Sequence, residues 1–551
     1  MRLNAKWRWF AAFTAVFAVM AAIVFWGCWS TDVTFISPDD GVAFPLSYGD
    51  AVVSWWNGFL TMGYLLPSDV FWSGLIGSPH FCRELKYVSA VYFAALGLAY
   101  FLRGRGLSRL VSYGAGLLLA FCGYWLTLFS AGHAGWFVWM TYGVFAFGLI
   151  DRALERGGMR HWLLFGAVLA WGSFRQPDLW LLFTAFTFAY FVFRLIALKV
   201  FPWKGMSVAL AVFLGVGAPS FYHALNGDLA SRDQQIEESA RTPDGGTVDA
   251  ETARWRFTTN WSMPPEDTVE FVRARAHGDT SCPFTLSINR DRGVRPYEGR
   301  LGRPLLTDGT EAPSGNYRQH SLYVGYVTCF LALFGVVYAF TRRGGVARFF
   351  LAAGLVFYVF SLGRYCEGVY RLVYSLPFGD YLRAPVKWHH LTELSIVVLA
   401  GFGLEFLLRT LGRIPSLPRS AAPALLSAIV VFGVADLATE AHRFCVPVDY
   451  SKAISSRRTA QLVPLPKPEY NPQIGQLIKA GELVPVAEWI ADPRYLLCQY
   501  LQPARASRQH AAKTPEFWLG ILSVLTALAA VGTAFGCWRR LGLGGGGKKA
   551  S

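Results

Sequence analysis

Residues 362–408 read LGRYCEGVYRLVYSLPFGDYLRAPVKWHHLTELSIVVLAGFGLEFLL and connect two apolar parts of the chain. A basic and aromatic connection leads into an apolar run that approaches the length needed to cross a bilayer. The connection carries four cations, Arg364, Arg371, Arg383 and Lys387. Two explanations stay open for them. They contact an anionic headgroup or phosphate-bearing ligand, or they belong to a lipid-facing amphipathic helix whose cations reach the interface.

The composition around this stretch is that of a membrane protein. Of 551 residues, 53% are hydrophobic, 16% aromatic and only 16% charged. A soluble chain of this length carries more charge and interrupts its apolar runs more often. The net charge of +15 is scattered in small groups between apolar runs. That distribution is typical of a topology signal and excludes a nucleic-acid-binding surface.

The apolar runs predict an all-α polytopic membrane protein with about 12 transmembrane helices. Basic residues collect in alternate connections, and all of these connections lie on the same side as the basic N-terminus. Both termini are therefore expected in the cytoplasm, with the first run retained as a signal anchor. The predicted spans lie near residues 10–30, 87–102, 110–130, 135–151, 162–174, 179–198, 206–223, 321–340, 347–363, 391–408, 422–438 and 515–537.

This topology divides the chain into a transmembrane region, residues 1–440, and shorter parts that follow it. Within the first part lie an outer loop with interfacial helices, 31–86, and a large outer loop, 224–320. An extracytoplasmic segment, 439–514, precedes the last transmembrane helix, 515–538, and a flexible cytoplasmic tail, 539–551. Because long apolar-periodic stretches are few in the outer segments, we expect irregular loops that cover a membrane-embedded cavity.

The first outer loop contains the stretch FISPDDGVAFPLSYGD, residues 35–50. Asp39 and Asp40 lie in a turn between a proline and a glycine, and Asp50 follows in the same loop. Paired carboxylates can act as a general base on an acceptor hydroxyl or hold a divalent cation that bridges phosphates. The alternative is an ordinary solvated turn.

Two further outer turns carry candidate ligand contacts. His133, in SAGHAGW, can hydrogen-bond a phosphate or sugar, or simply cap a helix end. Arg175 and Asp178 flank Pro177 in SFRQPDLW, close to the bilayer. Charges at that depth are costly unless they face water or are paired, so these two residues contact a ligand or each other.

The order of these motifs resembles the YfhO-like bacterial membrane proteins and, through them, the GT-C class of polytopic glycosyltransferases. The similarity covers most of residues 1–440 in layout, and LPFGDYLRAPVKW is the strongest of the matching motifs. The others are the acidic first outer loop, Gly132–His133 with the span ending at Asp151–Arg152, RQPD, GVGAPSFYHAL, WSMPPEDTVEFV and YVGYVTCFLALFGVV. The family's histidine in the third outer turn is replaced here by Arg175.

The resemblance implies a GT-C-like fold in a bacterial inner membrane and a transferase that uses a polyprenyl-phosphate sugar donor. The acceptor would be an extracytoplasmic glycan or a lipid-linked saccharide. Asp39 or Asp40 maps onto the catalytic base. Basic residues of the outer loops would hold the lipid phosphate, a role that the four cations of the connection fit chemically. The residues themselves add Asp50, His133, Arg175 and Asp178 as candidate substrate contacts, and a divalent cation at the paired aspartates as a candidate cofactor.

Two other functions remain compatible with the residues. A transporter or flippase of a lipid-linked saccharide predicts ionisable residues deep within spans and broken helices. A non-catalytic component of polysaccharide assembly or export would keep the layout without the chemistry. No nucleotide-binding or hydrolase motif occurs in the chain, so coupling to nucleotide hydrolysis is not expected.

Overall fold

The protein is described here from a computed structural model. The residues that it describes are 5–29, 33–35, 42–44, 79–131, 134–173, 177–223, 229–279, 297–313, 321–377, 379–445, 447–449, 460–466, 472, 476, 479, 483–487, 495–500 and 515–540.

The chain forms a helical membrane region, and a helix lies at each of the predicted spans. Six helices of the described residues are long and apolar enough to cross a bilayer, or seven if a bent helix pair counts as one span. This makes the chain a multi-pass membrane protein. The helices of this region are α1 (Ala5–Val24), α2 (Pro79–Gly104), α3 (Arg109–Phe121), α4 (Gly123–Ala131), α5 (Ala134–Arg156), α6 (Met159–Gly172), α7 (Pro177–Leu198) and α8 (Trp203–His223). They continue, after the outer loop, with α11 (Tyr326–Ala339), α12 (Gly345–Ser361), α14 (His389–Leu411), α15 (Ala421–His442) and α16 (Pro515–Arg540).

Helix α14 is the centre of this region, because 78% of its apolar window is buried inside the protein. Two glycines permit its close packing against α11. A Cβ atom on Gly335 would lie 2.0 Å from the Leu399 carbonyl oxygen, and one on Gly403 would lie 2.0 Å from the Leu331 carbonyl oxygen. The two backbones therefore approach more closely than any larger residue allows, as small residues commonly permit between membrane helices.

The span predicted near 110–130 is interrupted. Helix α3 ends at Phe121, Cys122 has extended backbone angles, and α4 begins at Gly123. The Gly123 amide donates to the Tyr323 carbonyl oxygen at 2.8 Å. The break lies at a glycine that the packing requires, because a Cβ atom on Gly123 would lie 2.7 Å from the Tyr323 carbonyl oxygen.

The connection between α12 and α14 leaves the membrane region sharply. After Ser361 the chain bends by 109° into a short 3-10 turn (Gly363–Cys366) and helix α13 (Glu367–Tyr374). Tyr370 and Val373 are buried, whereas Leu372 and Leu376 are 65% and 59% exposed. This arrangement fits a helix that lies along the membrane interface, the second of the two explanations for the basic connection.

The large outer loop folds into a cap, defined here as residues 229–279 and 297–313. It contains helices α9 (Leu229–Glu238) and α10 (Ala250–Thr259) and a 3-10 helix, Pro265–Phe271. Trp261 and Met263 are buried between this cap and the connection, where the Met263 amide donates to the Ser361 carbonyl oxygen at 2.9 Å. The prediction of irregular loops was wrong for this segment, because elements of ten residues or fewer give little periodicity in a sequence.

Short strands join the first outer loop to the segment 439–514, which were also predicted to be irregular. Strand β1 (Val33–Phe35) pairs antiparallel with β3 (Pro447–Asp449). Strands β2 (Val42–Phe44), β4 (Ala460–Pro466), β6 (Tyr495–Tyr500) and β5 (Leu483–Ala487) form a second antiparallel sheet in that order. These pairings connect distant parts of the chain, which no local pattern predicts.

Candidate functional site

The predicted acidic residues of the outer face are largely outside the described residues. Asp39, Asp40 and Asp50 of the first loop lie outside the described residues. His133 and Arg175 of the short outer turns also lie outside them. Asp178 lies in the first turn of α7, but its side chain is outside the described part. The roles assigned to these six residues therefore stay predictions.

The four cations of the connection are described, and they have different partners. Arg364 Nη2 lies 3.0 Å from Glu311 Oε1, whereas Arg371 Nη2 lies 2.8 Å from Glu367 Oε1. The remaining members are Arg383, whose Nη1 donates to Gln235 Oε1 at 3.1 Å, and Lys387, which is 4% exposed. The sequence analysis considered these four cations together. In the structure, Arg371 lies on the exposed helix α13, whereas Arg364 lies beneath the cap.

Arg364 lines a cavity of about 340 Å³ within the cap. The cavity lies where the cap meets the connection, and three arginines belong to its wall. Its polar lining is Ser239, Arg241, Thr242, Arg256, Asn260 and Arg364, and its apolar lining is Pro243, Phe257, Pro304 and Leu305. We call this space the cap cavity. Its combination of guanidinium, hydroxyl and amide groups is suited to an anionic, polar ligand.

Two similar turns fix one wall of the cap cavity. Residues 241–247 (RTPDGGT) and 305–311 (LLTDGTE) each close through an isolated antiparallel bridge. Gly245 and Gly309 have φ values of 82° and 85°, which glycine adopts readily. The turns contact each other because the Thr242 and Thr307 hydroxyls lie 2.7 Å apart. The lining residues Arg241, Thr242, Pro243 and Leu305 are thereby held on short, cross-linked turns.

An ion network supports Arg364 on the other side. Glu311 accepts from Arg364, from the Tyr365 hydroxyl at 2.7 Å and from Arg300 Nε at 2.8 Å. Burial raises the pKa of Glu311, but the hydrogen bonds from Arg300 and Tyr365 and the charge of Arg364 lower it by more. The net pKa lies below the ordinary value, so Glu311 is ionised and holds Arg364 in position.

A second group of ionisable side chains is buried where the cap meets the membrane region. Asp267 is fully buried and accepts from the Tyr297 hydroxyl at 2.6 Å, while Glu270 is 3% exposed and accepts from the His277 amide at 3.2 Å. Burial raises the pKa of Asp267 to about 6. Burial and then the charge of Asp267 raise the pKa of Glu270 to about 8. Carboxyl groups tuned to neutral pH are typical of functional sites.

A third polar group, His389, His390 and Glu393, lies at the start of α14, next to Phe271 of the cap. The rings of Phe271 and His389 are 4.5 Å apart, and the rings of His390 and Tyr124 are 4.2 Å apart. Glu393 is fully buried beside the Cys122 thiol and the first amides of α4. Among the described residues, none of these groups gives it a well-aligned hydrogen bond. An ionisable residue at this depth is a functional candidate by default.

Sequence reasoning missed these two buried groups. The residues HHLTEL at 389–394 open an apolar span with two histidines and a glutamate, which is the signal that could have identified them. Glu270 gave no such signal, because its burial depends on how the cap folds onto α15. Asp267, in the motif WSMPPEDTVEFV, is likewise completely buried by the fold of the cap.

Within the described residues, histidine, cysteine and carboxylate side chains do not group in a way that could hold a metal ion. The predicted divalent cation was assigned to Asp39 and Asp40, which lie outside those residues, so that prediction stays open. Comparisons with models of known protein families and with curated proteins found no match for this chain.

Proposed function

We propose that this protein is a membrane glycosyltransferase that moves a sugar from a polyprenyl-phosphate donor to an extracytoplasmic glycan or lipid-linked acceptor. The proposal includes a GT-C-like arrangement with about twelve spans in a bacterial inner membrane and with both termini in the cytoplasm. It rests on the resemblance of the motifs and on the connection between α12 and α14.

The observation that carries the proposal is the position of α13. This helix turns away from α12 by 109° and exposes Arg371 next to Leu372. The Arg371 guanidinium lies 4.3 Å from the centre of the Trp255 ring in cap helix α10. A cation beside exposed leucines suits a lipid whose chain is in the membrane and whose phosphate is at its surface. The cap above offers contacts to a water-soluble acceptor.

In the proposed reaction, Asp39 or Asp40 accepts the proton of the acceptor hydroxyl as its oxygen attacks the anomeric carbon. The bond from that carbon to the phosphate oxygen breaks, and the electron pair leaves with the lipid phosphate. Arg371 neutralises the charge that develops on this leaving group, as preorganised cations do in other transfer reactions. A divalent cation held by the same aspartates is an alternative way to stabilise the phosphate.

The test is transfer by purified protein in liposomes that contain a polyprenyl-phosphate sugar and a panel of acceptor glycans. The double variant D39N/D40N should lose product formation while its amount and melting temperature are kept. Arg371→Gln should lower kcat/KM by roughly tenfold or more, the value of a lost charge-assisted contact. Arg342→Gln, an exposed arginine at the opposite end of α12, is the matched control. Unchanged transfer by D39N/D40N would remove the enzymatic role of that pair.

A second function, a transporter or flippase of a lipid-linked saccharide, is favoured by one specific observation. Helix α3 breaks at Cys122, and the buried Glu393 of α14 lies beside this break and the first residues of α4. Broken helices beside a buried ionisable group are typical of transport sites. Movement of the labelled lipid-linked sugar across the liposome membrane without a new glycosidic bond, and its loss in Glu393→Gln, would favour this function. If neither transfer nor movement occurs, a non-catalytic role in assembly remains.

A further inference from the structure

We infer that the cap cavity binds a saccharide that carries a phosphate group. The ligand lies above the membrane, within a space built from α9, α10, the two cross-linked turns and Arg364. This inference depends on the geometry of the cap and not on the transfer reaction. It assigns a site that is separate from the exposed Arg371 on α13.

The charge of the cavity wall identifies the anionic part of the ligand. Arg241 and Arg256 line the space, and neither has a carboxylate oxygen within 4.0 Å among the described residues. Arg364 adds a third guanidinium, and its pairing with Glu311 leaves its Nε buried without an acceptor in that part of the chain. The described lining itself holds three arginines and no carboxylate. Behind it, Glu311 pairs with Arg364, and Asp244 accepts from Thr307. Three arginines against these two carboxylates leave a surplus of positive charge, and planar guanidinium groups match the oxygens of a phosphate.

A buried hydrogen-bond donor of Arg256 also favours an anionic ligand. Arg256 Nη1 is buried without an acceptor in the described part of the chain, while its Nη2 makes only a long contact of 3.4 Å to the Thr307 carbonyl oxygen. An unsatisfied buried donor destabilises the folded state, and a phosphate oxygen supplies the missing acceptor. Two further arginines lie close to the cavity, because the Arg232 and Arg383 guanidinium groups are 6.0 and 5.8 Å from the ring centre of the lining residue Phe257.

The size and the remaining lining identify the saccharide part. A cavity of about 340 Å³ is larger than one phosphate needs and lies in the range of small-ligand sites. Phe257 and Leu305 offer an apolar surface, whereas Asn260 offers an amide and Ser239 and Thr242 offer hydroxyl oxygens that already bond within the cap. A sugar ring has an apolar face and a polar edge, so it uses both kinds of wall. A lipid chain would supply no acceptor for the buried guanidinium donors of Arg256 and Arg364.

The experiment is calorimetric titration of the full-length protein in detergent micelles, with glucose 1-phosphate as the probe and no polyprenyl lipid present. Inorganic phosphate, glucose and farnesyl phosphate are the comparison ligands. Glucose 1-phosphate should bind about tenfold or more tightly than either inorganic phosphate or glucose. Arg256→Gln and Arg241→Gln should each weaken it by about tenfold or more. Arg241 is exposed, so its variant tests the site even if Arg256→Gln unfolds.

The matched control is Arg273→Gln, an exposed arginine of the cap that does not line the cavity. Its affinity for glucose 1-phosphate should equal that of the wild type. Affinity that is unchanged in Arg241→Gln and in a folded Arg256→Gln would overturn the site, as would the absence of any binding. Equal or tighter binding of farnesyl phosphate would overturn the saccharide in favour of a lipid phosphate. Because no transfer is measured, these results stand apart from the test of the proposed function.

Discussion

Glu270 is the group whose replacement makes the sharpest prediction from this structure. It lies on the 3-10 helix Pro265–Phe271, is 3% exposed, and has three other carboxylates nearby: Asp267, Asp279 and Glu440. The cations of this region pair with another member of the set: Arg275 Nε and Arg443 Nε lie 2.9 and 3.6 Å from the carboxylate oxygens of Glu440. The charges around Glu270 are therefore mostly negative, and its neutral form is favoured in the folded cap.

The sign of the pH effect follows from the pKa values. Glu270 has an ordinary pKa of 4.5 and a pKa of about 8 in the fold. Between these values the folded protein holds a proton that the unfolded chain has released. Stability should therefore fall as the pH rises from about 4.5 to about 8 and change little above that. The full shift corresponds to roughly 3 to 5 kcal/mol at pH 8, since one pKa unit equals about 1.4 kcal/mol.

The variant Glu270→Gln replaces the protonated carboxyl by a neutral group of the same shape. We expect it to match the wild type near pH 5 and to be more stable near pH 8, by several degrees in melting temperature. Unfolding of purified protein can be followed from pH 5 to 9 by tryptophan fluorescence. The control is Glu266→Gln. Glu266 is a partly exposed carboxylate on the same 3-10 helix, and it pairs with Arg300. A pH profile that is the same in Glu270→Gln and the wild type would refute the reasoning.

Two other predictions concern packing and charge within the membrane region, and both can be measured by thermal unfolding. Gly403→Ala should lower stability by about 1 to 3 kcal/mol, because the added methyl group collides with a carbonyl oxygen of α11. Gly532→Ala, which meets no atom within 4 Å, should have little effect. Asp151→Asn should cost about 3 to 5 kcal/mol, because the buried Arg194 and the largely buried Arg105 each lie 2.8 Å from its buried carboxylate. The exposed Glu367→Gln should cost less than about 1 kcal/mol.

Helix positions could be predicted from the sequence because hydrophobic burial in a bilayer acts on runs of residues. The run near 391–408, for example, corresponds to α14, His389–Leu411. The exact number of spans could not be fixed in this way, since several apolar helices are short. Helix α3 has 13 residues and α11 has 14, which is below the length that a straight bilayer crossing needs.

The site could be predicted only in part, because its residues meet through long-range contacts. The basic connection drew attention to Arg364, but its partner Glu311 lies in the cap, in a turn with no local signal other than Asp-Gly. Arg241 and Arg256 gave no signal at all, since single arginines in a polar loop are common. Arg371 fitted both explanations for the connection, and in the structure it lies on an exposed helix beside the exposed Leu372.

The interruption at Cys122 and the late start of α11 have a common cause. Residues 321–325 were predicted to be helical, yet they have no regular secondary structure and are buried beside the start of α4. Their backbone groups are satisfied by other elements: Gly123 donates to the Tyr323 carbonyl oxygen, and the amides of Val324 and Gly325 donate to the Phe271 carbonyl oxygen at 3.1 and 3.2 Å. Irregular backbone at this depth is tolerated because protein surrounds it.

Phe271 therefore connects the cap to the membrane region through its backbone and through its ring, which lies against His389. Its neighbour Glu270 is the carboxyl whose charge depends on pH near neutrality. Ionisation of Glu270 should weaken the same 3-10 helix that supplies the acceptor for residues 324 and 325. The pH dependence expected for the cap should then also appear as faster hydrogen exchange at these two amides, and exchange confined to the outer loop would contradict that coupling.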